Sequence, residues 1–74
     1  MHTRTTFIVG PPSETLADAG RQFEDFVESA RRDGEAIRQI AGLESRPAIV
    51  PNTRFLASPK DGLQLAGLVV FEYE

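Results

Sequence analysis

The sequence contains no cysteine and no tryptophan, and it has one histidine, one methionine and one tyrosine. Without cysteine, disulfides, thiolate metal sites and thiol catalysis are excluded. The single histidine, His2, lies beside the N-terminus, where chains commonly fray, so it is a poor base for a nucleophile and a poor metal ligand. We therefore predict a protein that is not an enzyme and that has no metal site and no cofactor.

Long hydrophobic runs are also absent. The longest uninterrupted apolar run covers residues 68–71, far short of the roughly 20 residues that a membrane-spanning helix needs. The N-terminal segment has no apolar stretch of signal-peptide length. These absences predict a soluble cytoplasmic protein with no membrane partner.

The sequence also has no excess of positive charge, because 8 basic residues stand against 11 acidic ones and the net charge is -3. The isoelectric point is near 5.0. Proteins that bind nucleic acid through its phosphates usually carry a basic surface. We expect no nucleic-acid partner.

The length of 74 residues predicts a single domain over residues 1–74. A chain of this size buries only about 60% of the surface that its unfolded form exposes, and small domains usually gain further stability from disulfides, metals or other subunits. Since neither disulfides nor metals are expected here, oligomerisation is the remaining source of additional stability.

The first half of the sequence predicts a strand followed by a helix. Residues 5–9 are β-branched or aromatic, and Gly10-Pro11-Pro12 ends the run. The helix has two candidate N-caps, Ser13 and Thr15, the latter with Asp18 three residues on. Apolar and small residues then recur at alternating spacings of four and three, which is typical of an amphipathic helix: Leu16, Gly20, Phe23, Val27 and Ala30.

The end of this helix can be placed in two ways. Asp33 and Gly34 are suitable for a C-cap, but the apolar stripe continues in phase through Ile37 and beyond. We favour a helix that runs to Gly42, bent or broken near Gly34, because residues 35–41 are rich in helix formers. The alternative is a strand over residues 37–43.

The second half of the sequence predicts strands and turns. Its prolines allow only a short or edge strand at residues 48–50. Residues 53–57 and 63–73 resemble the arms of a hairpin around the turn-rich segment 58–62. The predicted fold class is α+β in the order β-α-β-β, with one three-stranded antiparallel sheet and a long helix packed on one face.

The last predicted strand is apolar on both faces at its centre. A strand covered by one helix should alternate apolar and polar residues, yet Leu68 and Val70 alternate with other apolar residues. We expect the second face to be covered by another copy of the chain, with a different protein or a ligand as alternatives. A further alternative is that segment 47–50 or the region of Ile37 and Ile40 folds under the sheet. The predicted interface residues are Phe7, Leu65, Val69 and Phe71.

Two regions have the chemistry to bind a small anion. Ser13 precedes a helix N-terminus, which attracts negative charge, although simple helix capping explains it as well. Near the predicted hairpin, cationic and amide side chains come close in sequence to Phe55, opposite Tyr73, and arginine beside an aromatic ring suits a nucleotide-like ligand. Ordinary surface charge is the alternative. The predicted ligand-binding residues are Ser13, Arg46, Asn52, Arg54 and Tyr73.

The layout resembles that of the dodecins, which are small β-α-β-β proteins that form hollow homo-oligomers. The likeness includes the passage Val9-Gly10-x-x-Ser13, the long helix and the terminal hairpin. It implies an oligomeric protein that binds a flavin or a similar ligand. This chain has no tryptophan to stack on a flavin, and its stretch from residue 34 to 50 is longer than the connection in that family, so no binding residue is carried over.

Three functional hypotheses follow from these patterns. The first is a non-enzymatic homo-oligomeric binding protein that sequesters a small anionic or nucleotide-like ligand near its subunit interfaces. The second is a small inhibitor or adaptor, for example in viral counter-defence, that blocks a protein partner through an exposed sheet face or an edge strand. The third is a subunit whose only activity is assembly.

Overall fold

The computed structural model describes residues 1–51 and 58–74. Its elements are β1 (His2–Val9), α1 (Leu16–Ala30), β2 (Ala36–Val50) and β3 (Lys60–Tyr73). The strands form one antiparallel sheet in the order β1-β3-β2. The predicted α+β class and β-α-β-β order are therefore confirmed, and the last strand is the central one.

Helix α1 begins at the second of the two predicted caps. The Thr15 hydroxyl accepts a hydrogen bond from the Asp18 backbone N–H at 3.2 Å, which satisfies one of the free donors of the first turn. The helix ends at Ala30, after which the Arg31 N–H bonds back to carbonyls of the last turn. Among the described residues, no helix is long and apolar enough to span a membrane.

The predicted continuation of the helix to Gly42 is wrong, and the alternative of a strand is confirmed. The chain turns at Gly34, whose φ of +84° favours glycine, and β2 begins at Ala36. The pairing then jumps, because Ile37 lies opposite Phe71 while Gln39 lies opposite Val70. Arg38 is thus the extra residue of a β-bulge, which puts residues three apart on one face and imitates a helical spacing.

A second bulge follows in the same strand. Ala41 pairs with Leu68 and Glu44 with Ala66, so two residues of β2 stand opposite Gly67. One of them, Gly42, has a φ of +61°. The other, Leu43, lies against Gly67, where an added Cβ would come within 3.4 Å of its side chain. The two bulges therefore place Ile37, Ile40 and Leu43 on the same side of the sheet as α1.

The hairpin at the end of the chain is longer than the sequence predicted. Its arms are β2 and β3, and the predicted turn residues Asp61 and Gly62 lie within β3, opposite Ile49 and Ala48. The predicted arm at residues 53–57 lies outside the described residues. Gly62 suits the strand because an added Cβ would collide with the Ser13 backbone and Val50.

The core is a single layer between α1 and the sheet. It contains Ile8 from β1 and the following residues of α1 and β3: Ala19, Phe23, Val27, Leu65, Val69 and Phe71. Three predicted interface residues, Leu65, Val69 and Phe71, are therefore under the helix and not on the uncovered face. Segment 47–50 and the region of Ile37 and Ile40 belong to β2, so neither folds under the sheet.

The molecule is elongated, with extents of 52 × 22 × 16 Å and a radius of gyration of 14.5 Å. A compact chain of this length has a radius of gyration of about 11 Å. Helix α1 packs on β3 and β1 but does not reach β2. In the β2-β3 ribbon, the helix therefore covers β3 and leaves β2 uncovered.

Candidate functional site

A partly buried ion pair joins β1 to the turn between α1 and β2. The Arg4 guanidinium donates through Nε to Glu35 Oε2 at 2.8 Å and through Nη2 to Oε1 at 2.7 Å, a bidentate geometry that is among the stronger hydrogen-bonded pairs. Nη2 also donates to the carbonyl of Ala30 at 2.9 Å, and the guanidinium lies 4.6 Å from the centre of the Phe71 ring. One arginine thus connects β1, the end of α1 and the start of β2.

Glu35 is held as a carboxylate by this arrangement. The hydrogen bond from Arg4 is the main cause that lowers its pKa from 4.5 to about 2, and the Arg32 backbone N–H adds a second bond at 2.8 Å, while burial acts in the opposite direction. A group that stays ionised near neutral pH and has its oxygens occupied is a poor general acid or base. The Arg4–Glu35 ion pair therefore has a structural role, and we call it the clip. The sequence does not reveal it because 31 residues separate the two side chains.

An open cavity of about 430 Å³ lies beside the clip. It is lined by Arg4, Arg32, Asp33, Gly34, Glu35, Tyr73 and Glu74. Because Arg4 and Glu35 neutralise each other, the remaining charges are one cation, Arg32, against the carboxylates of Asp33 and Glu74. The cavity therefore does not favour an anionic ligand.

The predicted ligand-binding residues are not brought together. Tyr73 lies opposite His2, and the two rings stack with centroids 5.4 Å apart. Arg46 lies opposite Gln64, which is about 30 Å along β3 from Tyr73 at roughly 3.3 Å per residue. Asn52 and Arg54 lie outside the described residues.

Arg46 has partners of its own at that distant end. Its Nε and Nη2 donate to Glu44 Oε1 at 2.9 and 2.6 Å, and its guanidinium lies 5.4 Å from the centre of the Phe7 ring. A neutralised guanidinium over an aromatic ring is a weaker anion receptor than a free one. The arginine expected to bind a ligand therefore packs on the sheet face opposite α1.

Ser13 is buried, but it does not cap the helix. Its backbone N–H and carbonyl pair with Leu63 at 2.8 and 2.9 Å, so it extends the pairing of β1 with β3 past Pro11 and Pro12. Its Oγ has no hydrogen-bond partner among the described residues. The backbone groups of Ser13 are thus used for strand-like pairing and not at the start of α1.

Two apolar surfaces are left uncovered, one on each face of the sheet. On the helix side, Ile37, Ile40 and Leu43 form what we call the β2 stripe, with 43%, 39% and 53% of their surfaces exposed. A groove of about 340 Å³ runs between this stripe and α1, bordered by Glu24, Val27 and Glu28. On the opposite face, Phe7 and Leu68 are about half exposed.

The two surfaces differ in size and surroundings. On the face opposite α1, the exposed apolar pair Phe7 and Leu68 is flanked by Arg46 and by the exposed Gln39. The β2 stripe instead presents three large aliphatic side chains in a row. A larger contiguous apolar patch signals an interaction surface more strongly than a smaller one does, so the β2 stripe is the better candidate.

Comparison with known proteins gives no match to a family model, to a curated protein or to a solved structure. The resemblance to the dodecins therefore remains one of element order.

Proposed function

We propose that this protein is a non-enzymatic homo-oligomer in which the β2 stripe of each chain packs against a second copy. The observation that carries the proposal is the row formed by Ile37, Ile40 and Leu43, which α1 leaves half exposed. Completing the burial of a half-exposed aliphatic side chain contributes about 1 kcal/mol. This supplies stability that a chain of this length lacks by itself.

The amount of exposed surface supports a second copy as the occupant. The chain exposes 5255 Å², whereas a compact folded monomer of 8.1 kDa exposes about 4,500 Å². The excess of roughly 750 Å² is close to the ~800 Å² that each partner buries in a stable protein interface. One contact between copies would therefore give each chain the burial of an ordinary small domain.

The shape of β2 favours contact through its face over contact through its edge. Two bulges, Gly42 with its positive φ, and Pro47 interrupt the strand. Such features are the means by which proteins prevent another strand from adding to a sheet edge. An inhibitor that works by pairing a partner strand with β2 is therefore disfavoured, and the apolar stripe remains available.

The proposal is confined to assembly. Arg46, a predicted ligand-binding residue, is paired with Glu44, and Arg4 beside the cavity is paired with Glu35, so neither is a free cation for a small anion. Native mass spectrometry of gently purified protein tests directly whether a small molecule is bound. A mass equal to a whole number of chains is expected, and a retained small molecule would restore the ligand hypothesis.

The test of the contact is the molar mass in solution of a variant with Ile37→Thr and Ile40→Thr. Threonine keeps the β-branched shape that strands prefer while removing apolar surface. We expect the wild type to be oligomeric and the double variant to sediment as a smaller species. The control is Leu16→Thr, which removes a side chain that is 62% exposed at the start of α1 and should leave the mass unchanged. A monomeric wild type would contradict the proposal.

A further inference from the structure

The outer edge of β1 presents unpaired backbone groups. The Gly10 N–H donates to the Leu65 carbonyl at 2.8 Å, and β1 pairs with β3 one residue for one residue from His2 to Val9. In such an antiparallel ladder, alternate residues bond to the neighbouring strand. The even-numbered residues of β1 therefore bond to β3, and the N–H and C=O groups of Thr3, Thr5 and Phe7 point to the outer edge, where no described residue pairs with them.

This edge lacks the protection that β2 has. The eight residues of β1 contain no proline and no bulge. Its one arginine, Arg4, is turned onto the helix face, where it binds Glu35, so no charged side chain inside the strand discourages a neighbour. A straight, β-prone and uncharged edge is a template for pairing with another strand.

An exposed aromatic residue on α1 lies on the same flank. Glu24 and Glu28 border the groove toward β2, and Phe23 and Val27 face the sheet. With 100° between successive residues, Phe26 falls on the opposite flank of the helix, toward β1. It is 46% exposed, which is high for an aromatic ring beside a core.

We propose that β1 pairs antiparallel with β1 of a second copy, which joins the two sheets into one of six strands. This rests on the self-association proposed above but uses a different surface. Both helices would then lie on the same face of the joined sheet, with Phe26 of each copy at the seam between them. A second copy fits because the strand is complementary to itself: with Thr5 opposite Thr5, Arg4 faces Thr6, and no like charges meet.

Two contacts on opposite flanks of one chain determine the size of the assembly. The β1 edge links chains in pairs about a two-fold axis, and the β2 stripe links those pairs to others. The assembly therefore contains more than two chains. A variant that loses one contact should retain the smaller species held by the other.

The variant that tests the β1 contact is Thr5→Pro. The Thr5 N–H points to the outer edge, so proline removes a donor from that edge without breaking the bonds between β1 and β3. The matched control, Thr5→Val, keeps the donor and the β-branched shape. We expect Thr5→Pro to reduce the sedimenting mass at least two-fold and Thr5→Val to leave it unchanged. Equal masses for the wild type and Thr5→Pro would overturn the proposal.

Amide hydrogen exchange on the wild type gives a second test that does not depend on a folded variant. The amides of Thr3, Thr5 and Phe7 should be protected at high protein concentration and should lose at least ten-fold protection on dilution to monomer, whereas Thr6 stays protected. Rapid exchange of the three amides in the assembled protein would overturn the β1 contact. If the three amides exchange rapidly but the Ile37→Thr, Ile40→Thr variant is smaller than the wild type, the β1 contact is wrong and the β2 contact stands. A monomeric wild type would contradict both proposals.

Discussion

The charge of Glu35 contributes to the stability of the folded chain. Its pKa of about 2 in the folded chain lies below its ordinary value of 4.5 because Arg4 and the Arg32 N–H bind the carboxylate. A lowered folded pKa gives stability that is fully present above about pH 4.5 and is lost as the pH falls toward about 2. Acid should therefore weaken the attachment of the α1-β2 turn to β1.

The substitution Glu35→Gln tests this linkage. The amide has nearly the same shape but carries no charge, so the variant should be less stable at neutral pH and should lose less stability than the wild type between pH 4.5 and pH 2. Urea unfolding at both pH values measures the difference. Parallel acid profiles for the two proteins would show that the carboxylate does not contribute in this way.

Phe71 and Phe7 have the same side chain on opposite faces of the sheet. Phe71 is fully buried under α1, while Phe7 is half exposed. Phe71→Ala should lower the free energy of unfolding by about 3–5 kcal/mol because it leaves a cavity in the core, and Phe7→Ala should lower it by about 1 kcal/mol or less. Thermal or chemical unfolding of both variants at low concentration checks the order. Equal losses would contradict the assignment of the two faces.

The sequence alone does not reveal which face of β3 lies under α1. The last strand has apolar side chains on both faces, and periodicity alone does not reveal which face a helix will cover. In the folded chain the covered face is also marked by Arg4, whose guanidinium reaches Ala30, Glu35 and the Phe71 ring together. Such a contact between residues far apart in sequence leaves no local signal.

At the scale of elements, the two glycines Gly20 and Gly34 have different roles. Gly20 is inside α1, and a Cβ added there would lie 3.9 Å from Leu65, an ordinary contact. Gly34 is in the turn with a φ of +84°. Of these two glycines, only Gly34 has a backbone conformation that favours glycine.

Alanine substitutions at these two glycines should have opposite effects. Gly20→Ala should stabilise the chain by about 0.5–1 kcal/mol through the backbone entropy of the helix. Gly34→Ala should destabilise it by about 1–2 kcal/mol, because alanine resists a left-handed backbone. Unfolding midpoints measure both, with the Gly34→Asn variant expected between the wild type and Gly34→Ala. A loss of stability in Gly20→Ala would mean that α1 packs on β3 more closely than the 3.9 Å between an added Cβ and Leu65 indicates.

The helix and the first strand were predictable because their signals are local. The Thr15 cap and the spacing of Phe23 and Val27 indicate the start and the buried face of α1, although not its end at Ala30. Strand β2 was not predictable in the same way, since its bulges place Ile37 and Ile40 on one face at a helical spacing. A bulge is set by the partner strand, so only the pairing with β3 distinguishes the two interpretations.

At the scale of the whole molecule, the proposed self-association should make stability depend on protein concentration. Binding of one folded chain to another favours the folded state by mass action, so the melting temperature should rise with protein concentration. Differential scanning calorimetry over a hundred-fold concentration range measures the trend. The Ile37→Thr, Ile40→Thr variant should show a weaker dependence, and a melting temperature independent of concentration would favour a monomer.

The central strand of the sheet is also the last of the three described strands to be synthesised. Since β1 and β2 both pair only with β3 within the described sheet, neither ladder can form until residues 60–73 have left the ribosome. Until then the β2 stripe has no neighbours in its own chain, and exposed aliphatic segments of this kind aggregate readily. Because of this chain order, the sheet cannot form before β3 is available, and long-range pairing with β3 should be the slow step of folding.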